Sequence, residues 1–363
     1  MNVRRTRGTE VLVVGGGLVG LTAALVLRHH GLAVTLVEKR TGTSPQPKAR
    51  RIHVRSMEVF RELGLAQVVH DAARDLVGHD RMAIGRTLAE AALLPWWQPG
   101  GSEALEVSPE PPCLLAQDAL EPVLRDAAAD AGVDVRFGTA LSGFDQDENG
   151  VLADLQGNAL HAAYLVAADG ARSGVRTTLG IGRSGRGAIG EPSVNVYFHA
   201  DLAEVVRGRE FNLCRIEHAD APGAIASVDG RRRWVFMTPG VELDRDWAAL
   251  LRTALGVPVP DLDVRSVLPW QAEMRVADRY SAGRVHLAGD AAHVLPPFAA
   301  MGANTGISDV HGLGWKLAAV LRGTAAPTLL DSYDAERRPA GWFVAEQSAR
   351  RADDPGADGL AHP

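Results

Sequence analysis

Gly15, Gly17 and Gly20 stand at GxGxxG spacing, a pattern that lets backbone wrap the phosphates of a dinucleotide. Ahead of them, residues 10–15 read as a buried parallel strand, apolar on both faces. A helical pattern runs to about His30, Gly31 stops it, and residues 33–37 return as a second strand closed by Glu38. Gly15 permits the tight turn, Gly17 lets backbone approach a pyrophosphate, and Gly20 lets helix and strand pack closely. The first turn of the helix, with Leu18 and Val19, presents free N–H groups and a positive dipole end to the phosphates. Glu38, followed by Lys39, is placed to accept hydrogen bonds from a ribose. The shared register of strand, turn, helix, strand and acid makes the motif specific for a dinucleotide. It leaves NAD and FAD undecided.

Two further strand-like runs end in an acid. Residues 164–170 finish at Asp169-Gly170, and residues 284–290 finish at Gly289-Asp290 and lead into Ala291-Ala292-His293. Pro296, Pro297, Ala299, Ala300, Gly302, Asn304 and Gly306 follow, and a helix starts near there and runs past Leu317. These three stretches, in this order, resemble the para-hydroxybenzoate hydroxylase family of flavoprotein monooxygenases. Within it the chain looks most like polyketide hydroxylases of the tetracenomycin hydroxylase kind. The similarity runs from about residue 9 to 350. It includes residues 55–59, Gln117 in its Leu-Ala-Gln-Asp-Ala-Leu-Glu context, and Tyr333 with Glu336-Arg337-Arg338-Pro339.

The resemblance implies an α/β fold. A discontinuous Rossmann-like FAD-binding domain (1–75, 106–190, 276–350) is expected to interleave with a substrate-binding domain (76–105, 191–275) on a mainly antiparallel sheet. Residues 351–363 are expected to form a disordered tail, where many polyketide hydroxylases continue into a third, thioredoxin-like domain. The resemblance also carries roles. It assigns Gly15, Gly17, Leu18, Val19, Gly20, Glu38 and Lys39 to the ADP half of FAD, and Arg50, Gln117 and Asp169 to cofactor contacts, Asp169 also to the nicotinamide route. Asp290 falls to the ribityl chain, and the backbone of Gly302, Ala303 and Asn304 to the isoalloxazine ring. N–H groups at a helix N-terminus would stabilise negative charge on the N1–C2=O edge of reduced flavin. The chain departs from the family at Lys48, where arginine commonly precedes the alanine, and at Ala299 and Ala300, near usual glycines.

The implied reaction is hydroxylation of an aromatic, polycyclic phenolic substrate through a flavin C4a-hydroperoxide, with NADH or NADPH as transient reductant and O2 as co-substrate. No protein nucleophile is required. Baeyer–Villiger oxidation or drug inactivation on the same scaffold, and FAD binding without turnover, are the alternatives.

Between the second and third motifs the pattern changes. Residues 195–200, 211–216 and 234–237 read as strands joined by turns at Pro222-Gly223 and Asp229-Gly230, hence an antiparallel sheet. A flat aromatic between this sheet and the flavin would meet Tyr197, Trp234, Phe236 or their neighbours, with Pro296, Pro297 and Phe298 approaching from the flavin side. Register decides which alternation faces the flavin, and the residues leave it open. Trp96, Trp97 and Trp234 also read as packing residues, and His293 as a packing or hydrogen-bonding residue.

Composition sets the outer bounds. The chain has 363 residues, 46% hydrophobic and 23% charged, with a formal net charge of −6, which argues against nucleic acid or an anionic membrane as partner. Cys113 and Cys214 have neither metal nor disulfide spacing, so no metal site and a cytoplasmic home are expected, with the chain a monomer or homodimer. Arg4 and Arg5 precede the first apolar run, but it breaks at Gly15 without a cleavage site, and no stretch reaches membrane-spanning length.

Overall fold

The structure is a computed structural model that describes residues 8–95 and 108–353. Trp96 and Trp97 lie outside the described residues, as does the rest of the segment to residue 107.

The first sheet follows from short strands too apolar to face water on either side. Thr9–Val14 lies at its centre, with Val11, Leu12 and Val13 fully buried. It pairs in parallel with Val34–Glu38 on one side and Asn158–Ala167 on the other, and these pair in turn with Asp134–Phe137 and Val285–Leu287. The register has a direct consequence. Val14 sits opposite both Val37 and Ala167, and Ala167 sits opposite Leu287. The C-terminal ends of all three motif-bearing strands therefore reach one edge of the sheet, where open α/β sheets bind ligands. The helix Leu18–His29 packs on this sheet against the helices Gln117–Asp130 and Met301–Leu321.

The second sheet is antiparallel except for one pair. Its order runs His293–Val294, Asp263–Ala277, Arg183–His199, Arg233–Pro239, Gly223–Ser227, Leu213–Ile216, Met82–Gly85 and Ala92–Leu93, with Leu213–Ile216 and Met82–Gly85 parallel. The strand Gly223–Ser227 and the long strand Asp263–Ala277 carry no sequence signal strong enough to have been read. Arg183–His199 and Asp263–Ala277 pair along most of their length, from the first core (Ile189, Met274, Val276) into the second (Val194, Val196, Phe198). The divisions expected at 190/191 and 275/276 thus fall inside two continuous strands, close to their register shifts.

Each face of the second sheet has its own partner. Val194, Val196, Phe198, Cys214, Ile225, Trp234 and Phe236 bury one face against the helix Trp247–Leu255. The opposite face holds Tyr197, Leu213, Ala226, Val235 and Met237 and packs against Ala116 of the first domain. The last helix, Asp331–Asp353, extends into the segment expected as a tail, and Asp353 pairs with Arg186 at 2.7 Å. Residues 354–363 lie outside the described residues. Among the described residues no helix is long and apolar enough to cross a membrane.

Candidate cofactor and substrate site

The three fingerprint glycines are glycines for different reasons. Gly15 has φ +110, and a Cβ there would lie 2.2 Å from the carbonyl oxygen of Ala168. A Cβ at Gly20 would lie 1.8 Å from the Gly15 oxygen, so the helix can approach the turn only because residue 20 has no side chain. Gly17 is different. Its φ is −81, and a Cβ at this position would meet only Glu121 Oε1, at an ordinary 3.6 Å. Neither conformation nor protein packing demands glycine at 17, which leaves close approach of a bound group as the reason. Gly302 is likewise free of protein neighbours, in the first turn of Met301–Leu321. These two open backbone positions fit a cofactor laid along both helix N-termini.

Glu38 is held in place before any ligand arrives. Its carboxylate accepts from the backbone N–H of Gly16 at 2.7 Å and of Arg40 at 2.8 Å. Val19 lies in the first turn of the fingerprint helix and packs onto the third motif: a Cβ at Gly289 or Gly306 would collide with its side chain at 2.9 and 2.5 Å. First and third motifs are therefore in direct contact. The second is tied to the third by Arg176, a buried guanidinium that donates to the carbonyls of Ala291 (2.9 Å) and Ala171 (3.2 Å). Asp169 caps the short helix Gly174–Thr178 by accepting from Val175 N–H at 3.2 Å, and its Oδ1 is buried without a partner. Asp290 lies in a 3₁₀ turn, Gly289–Ala291, reached by solvent yet hemmed in by protein, as a carboxyl facing a cleft is. Desolvation pushes its pKa up, and the charges of His293 and Lys48 oppose the shift.

Beneath this turn sits a buried ionic cluster that sequence reasoning did not identify. Asp309 accepts from His293 Nε2 (2.6 Å), from Arg337 Nε (2.9 Å) and from Gly289 N–H (3.2 Å). Burial pushes this carboxyl up, but His293 and Arg337 together hold it below the ordinary range. The available signal was an acid between the apolar Ile307 and Val310 in a helical run. Glu121 was missed in the same way. It is buried within Gln117–Asp130, and its carboxylate accepts from Leu18 N–H (3.1 Å), Ser44 N–H (2.7 Å) and Gln117 Nε2 (2.5 Å). Gln117 thus gives its Nε2 to Glu121, and its own N–H donates to Ala49 O at 2.7 Å.

The side chain of Asn304 turns away from the cleft. Its Oδ1 accepts from His53 N–H (2.9 Å) and Ser56 Oγ (2.7 Å), and its Nδ2 donates to Arg51 O (3.1 Å) and Ala300 O (2.7 Å). All four of its bonding positions hold protein, so only its backbone remains for a cofactor. Ala300, ahead of the helix, adopts the left-handed conformation (φ 54, ψ 36) that the glycines usual near this point adopt without strain. Arg50 reaches across to the second sheet, where Nη1 donates to Asn212 O (3.1 Å), Asn212 Oδ1 (2.9 Å) and Ser227 O (2.7 Å).

The pocket wall differs from expectation. Trp234 and Phe236 point into the second core: Trp234 donates to Ala200 O at 3.0 Å and packs on Phe211. They do not line the cleft. Tyr197 belongs to the cleft-facing side, with its hydroxyl between Arg233 Nε (2.9 Å) and His199 Nε2 (3.0 Å), and Arg233 pairs in turn with Asp118 of the first domain. Cross-strand pairing puts Asn195, Met237 and Leu268 on the same face, with Ser193, Trp270 and Ser266 in the neighbouring pairs. Pro296 is buried, and its carbonyl accepts from Ser348 Oγ at 2.7 Å; Pro297 and Phe298 remain exposed. Burial pushes the thiols of Cys113 and Cys214 up to about 12, which leaves no thiolate for chemistry near neutral pH. Among the described residues no group of three His, Cys, Asp or Glu side chains is placed to hold a metal ion.

Comparison with known proteins agrees with this geometry. The FAD binding domain family matches residues 8–348. A tetracenomycin A2 monooxygenase-dioxygenase of Streptomyces glaucescens is 41% identical over 94% of this chain and 67% of its own length. Aklavinone 12-hydroxylase DnrF of Streptomyces peucetius is 38% identical over 93% of this chain and 73% of its own. Among solved structures, a ternary complex of aklavinone-11 hydroxylase with FAD and aklavinone superposes with a TM-score of 0.89 at 34% identity, covering all of this chain and 73% of that one. The monooxygenase PieE with FAD and substrate gives 0.87 at 33% identity, covering 95% of this chain and 64% of that one. The chain spans 60 to 73% of the length of the relatives it matches. The resemblance read from three motifs is borne out: this chain belongs to the FAD-binding-domain family of flavoprotein monooxygenases.

Proposed function

We propose that this chain is the catalytic part of an FAD-dependent monooxygenase that uses NADH or NADPH and O2 to hydroxylate a flat, polycyclic phenolic substrate. The observation that carries this reading is the half-exposed apolar face of the second sheet. Leu213, Met237 and Leu268 are incompletely covered, although Cys214, Trp234 and Phe236 on the opposite face are buried. Such a wall facing the cofactor edge suits a planar aromatic ligand.

FAD, when bound, supplies the reductive activation of O2. The protein's part is positional and electrostatic. Open backbone at Gly17 and Gly302 would seat the cofactor, with Glu38 at a ribose and Asp290 at the ribityl chain. The N-terminus of Met301–Leu321 would stabilise negative charge on the reduced ring. The apolar wall would exclude water, which limits loss of hydrogen peroxide in place of hydroxylation. The relatives named as aklavinone and tetracenomycin enzymes support a polycyclic phenolic substrate. Anaerobic mixing of the flavin-loaded protein with NADPH tests the reading: a polyhydroxylated anthraquinone should accelerate flavin reduction. A flavin that neither nicotinamide reduces, with or without the phenol, would refute it in favour of FAD binding without turnover.

A further inference from the structure

The carboxyl of Asp290 meets no hydrogen-bond donor among the described residues; burial and the charges of His293 and Lys48 are what act on it. Its direction is therefore set by the backbone of its own turn, Gly289–Ala291. One side chain grips that turn at both ends. Asp309 Oδ2 accepts from Gly289 N–H at 3.2 Å, one residue before Asp290, and from His293 Nε2 at 2.6 Å, three residues after it. Oδ1 is taken by Arg337 Nε of the last helix at 2.9 Å. The side chains of Asp309 and His293 have no exposure to solvent, so neither can turn aside to water.

The place of Asp309 on its helix adds a second constraint. Gly302, Gly306 and Asp309 stand four and then three residues apart within Met301–Leu321, so they share one stripe. Gly302 presents open backbone at the start of that helix. Gly306 meets Val19 and Gly289, where a Cβ would lie 2.5 Å and 3.0 Å from their atoms. One helix thus carries both the backbone expected at the flavin ring and the carboxylate that holds the turn of Asp290. A buried carboxylate–guanidinium pair is a weak source of net stability, because desolvation offsets much of the attraction. It is a strong source of geometry, since both oxygens are occupied and no partner can shift without stranding a charge.

We infer that Asp309, through Gly289 and His293, is a positioning residue for FAD: it fixes the spacing between the ring-facing start of Met301–Leu321 and the Asp290 carboxyl. The inference rests on the ribityl contact of Asp290 proposed above. A spacing formed before the cofactor arrives lowers the ordering cost of binding it.

D309N would strand Arg337, so the test cuts the link at His293 and reads FAD binding by fluorescence titration of apoprotein. D290A should weaken binding roughly tenfold to a hundredfold, the loss of one or two hydrogen bonds to a charged group. H293L should weaken it roughly threefold to thirtyfold, as expected when a preformed contact loses its aim. H293Q, which keeps an N–H donor, should recover most of that loss. The double variant D290A/H293L should bind within about twofold of D290A, because an absent carboxyl has no direction to lose. H293N, too short to reach Asp309, carries the same cycle if H293L does not fold. Full additivity of the two losses would overturn the inference and make the cluster a support for the fold at large. H293L with wild-type affinity would overturn it as well. D290A with wild-type affinity would instead overturn the ribityl contact itself, and the inference with it.

Discussion

Replacing Gly17 by alanine separates cofactor binding from folding more cleanly than any other change in the fingerprint. The new methyl group would meet Glu121 Oε1 at 3.6 Å and nothing nearer, with the backbone in an ordinary region. At a helix N-cap, glycine and alanine differ by well under 2 kcal/mol, so the G17A apoprotein should melt within about 2–4 °C of wild type. A methyl group between backbone and diphosphate would lengthen or break one or two charge-assisted hydrogen bonds, each worth about 1.5–3 kcal/mol. FAD binding should therefore weaken roughly tenfold to a thousandfold, measured by fluorescence titration of apoprotein with FAD. G20A is the control. Its methyl group would lie 1.8 Å from the Gly15 oxygen, so the helix must move, costing about 1–3 kcal/mol of apoprotein stability. G17A that binds FAD like wild type would show that the backbone at residue 17 makes no close contact with the cofactor. G17A that melts as low as G20A would show glycine at 17 to be a packing requirement.

Three further changes probe the surroundings. Ala300→Gly relieves the left-handed strain and should raise apoprotein stability by up to about 1 kcal/mol in urea unfolding; a loss would show that the methyl group is needed there. Asp309→Asn leaves Arg337 without its carboxylate and should cost about 3–5 kcal/mol, while wild type loses this contribution as pH falls through the depressed pKa of Asp309; equal acid sensitivity in the two proteins would contradict the assignment. Burial keeps His286 neutral, with a pKa of about 4 against an ordinary 6.5, so the unfolded chain binds the extra proton between those values. Stability should fall by roughly 3 kcal/mol as pH drops across that window, and His286→Gln should flatten the dependence; an unchanged slope would exclude His286 as its source.

The parts of the site that rest on local geometry were legible in the sequence. A tight turn into a helix needs glycine at fixed offsets, and an apolar strand ending in Glu38, Asp169 or Asp290 announces itself over a few residues. The parallel register then brings those ends together. What could not be read depends on partners distant in sequence. Trp234-Val235-Phe236-Met237 is apolar at every position, so no alternation reveals which side meets the cofactor; the helix Trp247–Leu255 decides that Trp234 and Phe236 point away. Asn304 was expected at the cofactor through its backbone; its side chain, whose direction no local pattern reveals, is consumed by Arg51, His53, Ser56 and Ala300. Glu121 and Asp309 are buried acids whose partners lie in other segments, and only an acid between apolar residues of a helical run hinted at them.

We propose that the bound flavin of this chain delivers oxygen from O2 to an aromatic ring. The direct measurement is product mass after turnover of the FAD-loaded protein with NADPH, a polyhydroxylated anthraquinone and isotopically labelled O2. The expected product carries one labelled oxygen atom on the ring, formed in step with NADPH consumed. NADPH oxidation that yields only hydrogen peroxide across a panel of polycyclic phenols, or ring oxygen drawn from water, would contradict it.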